Sequence, residues 1–266
     1  MVLNKIYTDP LLPEVELYMK RLILTVVGLA MLSFAANAQT ADEVVNRYIK
    51  AIGGMDKLTA IKSMRTTGKF TGGGGFEATV VDESKRPDKV RNEFSLQGMT
   101  GVSAYDGKNG WRINPFGGKK DAEAMGEEDL KSMLEAADFD GPLVNSVAKG
   151  NKIEYMGKED YEGSDVYKLK VTLPNGTVKH YYLDTEFYVP IKVETRRMVR
   201  GTEVEFEQIL GDYKEAGGVF FPFSIESGPK GGSFHSTVTL EKIEINPVLD
   251  DSRFTMPTMP KPTAKP

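Results

Sequence analysis

The chain has 266 residues, with 34 Lys and Arg against 38 Asp and Glu, a net charge of −4 and no cysteine. This slight acidic excess excludes the basic surface on which nucleic-acid or anionic-lipid binding rests. The missing thiols exclude disulfides, cysteine-ligated zinc and Cys–His nucleophile pairs, so the fold must rest on its own apolar core.

Met19-Lys20-Arg21 precede the apolar run LILTVVGLAMLSF, and Ala36-Asn37-Ala38 precede Gln39. A basic start, roughly 13 apolar residues against the ~20 of a membrane span, and an A-x-A site read as a signal peptide over 19–38. Residues 1–18 then stand upstream of the natural start, as an over-extended gene start. Gln39 in place of Cys at the cleavage point predicts a chain without a lipid anchor. The expectation is a soluble periplasmic protein with one domain over 39–256.

Thr40 and Glu43 form a capping-box pair ahead of Val45, Tyr48, Ile49 and Ile52, which share one helical face. The spacing predicts a helix over 41–52, stopped by Gly53-Gly54. The segment MDKLTAIKSM (55–64) reads as a second helical piece. From Met64 to about Ile245 the period becomes two. KFTGGGGFEATVVDE, DKVRNEFSLQG and MTGVSAYDGKNGWRINP read as strands separated by turns. Gly72 to Gly75 form a hairpin turn, since no Lys-Ser/Thr and no helix follow to hold a phosphate. GEEDLKSMLEAAD interrupts with Leu130, Met133, Leu134 and Ala137 as an apolar stripe, which predicts a helix at 127–137 within a helical insertion over 121–139. FDGPLVNSVAKGN is a loop or short helical turn.

Strands resume at KIEYMGKE and run to TLEKIEINP. In YKLKVTLPNGTVKHYYLD, Asn175-Gly176 signal a tight hairpin. Taken as a two-residue loop, they set Leu173 opposite Val178, Val171 opposite His180 and Leu169 opposite Tyr182. Lys168, Lys170 and Lys179 then share the wet face. In TEVEFEQIL, Glu203, Glu205 and Glu207 fall on a solvated face, away from Val204, Phe206 and Leu210. The tail 257–266 is Pro-rich and expected to be disordered. The expected fold is α+β and mainly antiparallel: one large curved sheet with helices on its concave face, either closed tightly on itself or holding a hydrophobic cavity.

Catalytic chemistry has little to work with. His180 falls on the apolar hairpin face as a hydrogen-bonded core residue. His235 stands beside Gly231-Gly232 in a turn with a solvated side chain, and neither Ser233 nor Ser236 sits in a nucleophile elbow. No catalytic residue, metal or cofactor is expected. Trp111 has three readings: strand-end core aromatic, sugar platform, or pocket wall. The platform lacks the further aromatics and carboxylates it needs. The pocket wall is supported by Phe116 and by the Met-rich helical segment with Met125, Leu130, Met133 and Leu134, since Met adapts to pliable apolar ligands. The expected cavity is lined by Trp111 at a supple, glycine-flanked mouth, by Phe116, Leu130, Met133, Leu134 and Phe206, and by Leu169, Val171 and Tyr182 deeper within.

The order of features resembles the periplasmic lipoprotein carriers and their outer-membrane lipoprotein-sorting relatives, the LolA-like fold. The resemblance is carried by AIGGMDKL, YDGKNGWRINPFGG, the insertion at 121–139, YKLKVTLPNGTVKHYYLD with VPIKVE, and GDYKEAGGVFFPFSI, over roughly 41–254. It implies an incomplete (half) β-barrel wrapped around helices, enclosing a cavity that receives acyl chains. The implied function is a monomeric, non-enzymatic periplasmic carrier in lipoprotein or lipid sorting, with acyl chains and envelope membrane receptors as partners. The alternative is a lipid- or lipoprotein-sensing interaction module. Carriers of this kind use an arginine near the cavity for release; Arg65, Arg91, Arg112 and Arg197 are candidates, and none is singled out.

Overall fold

The computed structural model describes residues 39–258. The expected leader at 19–38, the upstream residues 1–18 and most of the Pro-rich tail lie outside the described residues. From Ala41 onward the described chain is one compact unit. It opens with helices α1 (Ala41–Ala51) and α2 (Met55–Ala60). Strands β1 (Ser63–Thr71), β2 (Glu77–Lys85), β3 (Lys89–Leu96), β4 (Met99–Tyr105), β5 (Gly110–Asn114) and β6 (Lys119–Ala124) follow. Helix α3 (Glu127–Ala137) and a run of turns over 139–150 lead to β7 (Lys152–Tyr161). Then come β8 (Ser164–Thr172), β9 (Val178–Asp184), β10 (Pro190–Val199), β11 (Thr202–Ala216), β12 (Val219–Pro229) and β13 (Ser236–Ile245).

Among the described residues, these strands form one antiparallel sheet in the order β6-β5-β4-β3-β2-β1-β13-β12-β11-β10-β9-β8-β7. Its edges, β6 and β7, do not pair, so the barrel stays open. The sheet nevertheless curls. α3 rests Met133 and Ala137 on Val90 and Tyr105 near one end. Its Glu135 meets Asn175, Thr177 and Lys179 of the β8–β9 hairpin near the other.

Two boundaries shift from the sequence expectation. The second helical piece stops at Ala60 because Ile61 is already extended (φ −75°, ψ 116°), and Met64 belongs to β1. The insertion over 121–139 is helical only from Glu127; residues 121–124 are strand, paired through Trp111↔Ala124 and Arg112↔Glu123.

The β8–β9 register also differs, by one residue. Leu169 faces Tyr181, Lys170 faces His180 and Lys168 faces Tyr182. A two-residue loop would need Pro174 to donate a backbone hydrogen bond, and proline has no N–H. The chain instead turns over Pro174-Asn175-Gly176. Gly176 donates to the Leu173 carbonyl (3.0 Å), and Leu173 donates to the Thr177 carbonyl (2.9 Å). Gly176 takes φ 85°, the left-handed position of a three-residue loop. A slip of one residue reverses faces. His180 and Tyr182 therefore lie on the convex face with Lys168 and Lys170, and Lys179 points inward.

Following registers across the sheet, the convex face of the first half carries the row Arg65–Glu83–Arg91–Ala104–Trp111. The segment after β13 covers it. Glu83, only 1% exposed, accepts from Arg65 Nε (2.8 Å) and from Arg253 Nε (2.6 Å). Arg91 Nη1 donates to the Arg253 carbonyl (2.9 Å), and Trp111 Nε1 donates to that of Phe254 (2.6 Å). In the second half, Glu207 is not solvated as expected. It is 8% exposed, bonded to Lys192 (3.0 Å) and to the Gly231 N–H (3.0 Å). His235 likewise is not free, with Nδ1 2.6 Å from Glu226 Oε1. The β12–β13 connection folds over these carboxylates, which the alternation of β11 alone does not reveal.

Replacing Glu83 with Ala should cost about 2–4 kcal/mol, since it strands two half-buried guanidiniums while solvent screens part of the loss. Urea unfolding checks this. A cost below about 0.5 kcal/mol would mean that the C-terminal segment is not clamped through Glu83.

Candidate ligand-binding site

The concave face is covered by three short helices, and the gaps between them define the site. α1 sets Val44 and Val45 on Leu169, Val171, Leu183 and Val193. Ile52 at the end of α1, with Leu58 and Ile61, meets Val144 and Val219. Beneath them lies a cavity of about 280 Å³, its apolar wall formed by Ile52, Leu58, Ile61, Val193, Leu210 and Phe221. Three phenols also face it. Burial, with the charge of Asp140 adding, pushes Tyr48 up to about 12, and burial likewise raises Tyr181 and Tyr213. Tyr213 donates its hydroxyl to the Pro190 carbonyl (2.6 Å).

A wider cleft of about 480 Å³ opens between Leu134 and Ala137 of α3, Pro87, Tyr105, and Leu173 and Pro174 of the hairpin turn. Lys179 lines both cleft and cavity. Its ammonium lies 3.1 Å from Glu135, which also accepts from Asn175 Nδ2 (3.1 Å) and Thr177 Oγ1 (2.9 Å). Burial works to raise the Glu135 pKa, but Lys179 and the two hydrogen bonds outweigh it and hold it below the usual range. A neutral ion pair thus stands between a surface cleft and an apolar interior.

The nine residues expected at one cavity do not converge. Leu169 and Val171 are fully buried on the concave face, but as core under α1. Leu130 and Met133 pack under α3, close enough that a Cβ on Gly110 would meet Leu130 Cδ1 at 2.8 Å. Gly110 is thus a packing contact and not part of a supple gate. Leu134, 47% exposed, lines the cleft. Phe116 ends an aromatic row on the concave rim, 5.8 Å from Phe94, which is 5.3 Å from Phe70. Phe206 lies on the same face, 38% exposed, under the Arg197 guanidinium. Tyr182 and Trp111 are on the other side of the sheet. Trp111 pairs with Ala104, one residue out of phase with the inward Tyr105, and is 2% exposed in a cluster with Val102 and Ala104. It is core. Of the four arginines, Arg65 and Arg91 are on the convex face and Arg112 is held by Glu123 and Asp129. Arg197 faces inward, donating to Ser132 Oγ at 3.2 Å.

The cavity residues proper went unassigned in the sequence. Tyr48 and Ile52 lay in the α1 stripe as helix-packing positions. Tyr181 was hidden by the register slip, which Pro174 could have corrected.

The architecture defines a class: an open antiparallel half-barrel curled around helices, with a cavity beneath them. No protein-family model matches the chain, and no curated protein matches it in sequence. Solved structures do share the fold, which is LolA-like. A Vibrio parahaemolyticus domain named for outer membrane lipoprotein sorting superposes with TM-score 0.56 at 14% identity, over 80% of this chain and 94% of that one. A DUF1329 family protein from Desulfovibrio piger gives 0.58 at 11% identity, over 82% and 98%. A LolA superfamily protein from Nitrosomonas europaea gives 0.55 at 14% identity, over 82% and 98%. Among the described residues, no helix is long and apolar enough to cross a membrane.

Two measurements test this arrangement. Trp111 emission should be blue-shifted and indifferent to a titrated long-chain acyl ligand, and Trp111→Ala should cost about 3–5 kcal/mol; a ligand-dependent shift would return Trp111 to the cavity. Unfolded tyrosines ionise near ~10, whereas Tyr48 keeps its proton to about 12. The stability this provides is complete below the unfolded value and lost as pH rises through the folded one. The thermal midpoint should therefore fall steeply above pH ~10, and less so in Tyr48→Phe.

Proposed function

We propose that this chain is a periplasmic carrier that holds acyl chains of lipoproteins or other lipids in the concave-face cavity, and takes part in sorting them to the outer membrane. The observation that carries this reading is the apolar cavity beneath α1 and α2, which shares Lys179 in its wall with the Leu134 cleft. Removing an acyl chain from water is worth ~0.8 kcal/mol per CH₂, so a chain of ordinary lipid length crosses an aqueous compartment far more readily inside such a cavity. The leader expected over 19–38 supports export, and the shared fold of the lipoprotein-sorting domain supports the cargo class. The reading is non-enzymatic. Both histidines stand on the convex side or its covering connection, away from the cavity, and the charged groups at the cavity are paired. The chain acts as a monomer that takes its cargo from, and gives it to, membrane receptors of the envelope.

Native mass spectrometry of the protein from periplasmic extract should show bound lipid. Leu210→Asp should weaken binding of a fluorescent acyl probe at least about tenfold, while Val248→Asp, at a site 99% exposed, should not. A wild-type protein that carries no lipid and binds no probe would rule the carrier out.

A further inference from the structure

The cavity is not uniformly apolar. Tyr48 and Tyr181 line it and, among the described residues, make no hydrogen bond through their hydroxyls, unlike Tyr213, whose hydroxyl is held by Pro190. Both phenols line the same cavity, so one ligand occupying it lies against both. Neither hydroxyl is walled off from solvent, so a ligand that displaces water from the cavity must offer each a polar atom in its place or leave it unpaired at a cost. We propose that the cavity selects acyl esters, with Tyr48 and Tyr181 donating to the ester carbonyl while Ile52, Leu58, Ile61 and Val193 hold the adjoining methylenes. This rests on the acyl-carrier reading and narrows it.

The surrounding charges favour an ester over a free fatty acid. Asp140 lines the same cavity, and its charge reaches Tyr48. A ligand carboxylate would be dehydrated beside that negative charge. The nearby cations are already engaged: Arg86 Nη1 donates to Asp140 at 2.8 Å, and Lys179 is paired with Glu135. A neutral carbonyl accepts two hydrogen bonds without these costs. A plain alkane satisfies neither hydroxyl. The ester can come from a lipoprotein's acyl anchor or from a free glycerolipid, since both present the same carbonyl.

The test is competition for a bound fluorescent hydrophobic probe by a long-chain methyl ester, the matched fatty acid at neutral pH and the matched alkane. The wild-type protein should bind the ester about tenfold or more tightly than either of the others. Tyr48→Phe/Tyr181→Phe should bind the alkane as the wild type does and lose the ester preference; each single variant should lose part of it. An ester and an alkane bound equally by the wild type, or a preference that survives in the double variant, would overturn the inference alone. Failure of the wild type to bind the probe or any of the three would overturn the carrier reading and the inference together. Competition by a diacylglyceryl-modified peptide against a diacyl phospholipid then separates the two sources.

Discussion

One constraint shapes this protein: its sheet curls without closing, and the concave face is wider than its helices can cover. α1 and α3 have 11 residues each and α2 has 6. Helices of that length span roughly 16 and 9 Å, against strands set ~4.8 Å apart across the whole sheet. Each helix therefore seals only the strands beneath it. The remaining gaps are the cavity under α1 and α2, the cleft beside α3, and the aromatic rim of Phe70, Phe94 and Phe116. An unclosed barrel with short helices leaves interior space as a matter of geometry.

The convex face solves the opposite problem. α1, α2 and α3 all lie on the other face, so its rows are polar, some exposed and some covered: Glu154, Lys170, His180 and Glu194 across β7 to β10, and Arg65, Glu83 and Arg91 across β1 to β3. Single exposed pairs of this kind contribute little. What matters is where a covering segment dehydrates them, as the C-terminal segment does at Glu83 and the β12–β13 connection does at Glu207. There the charges fix the position of the cover, because a buried carboxylate without its partners is strongly unfavourable. On this face burial also lowers the His180 pKa, with Lys168 adding to the effect.

Much of the fold was legible from periodicity. The helical stripes of Val45, Tyr48, Ile49 and Ile52 and of Leu130, Met133 and Ala137 mark two of the three α-helices among the described residues, and period-two alternation marks the span of the sheet. The faces were less legible, because period two gives relative and not absolute orientation. Trp111 shows this. Its glycine-rich neighbourhood is compatible with either face, and the partner that decides, the Phe254 carbonyl, lies 143 residues away. The hairpin shows the complementary case, in which the deciding information was local: Asn175-Gly176 signals a turn, but Pro174 sets its length. Cavity residues were the least legible of all. A position that lines a cavity and one that packs a core are both apolar and inward, and only the third dimension separates Val171 from Val193's neighbour Leu210.

The cavity of about 280 Å³ is partly open, with Phe220 on its wall 40% exposed, so without a ligand its apolar walls face water. Water can satisfy Tyr48 and Tyr181 but gains nothing from Ile52, Leu58 and Val193; an acyl chain gains from the walls. The apolar part of the cavity thus favours an apolar ligand over solvent. The Lys179–Glu135 pair at the border of the cavity keeps both charges partnered whether water or an apolar chain lies beside it.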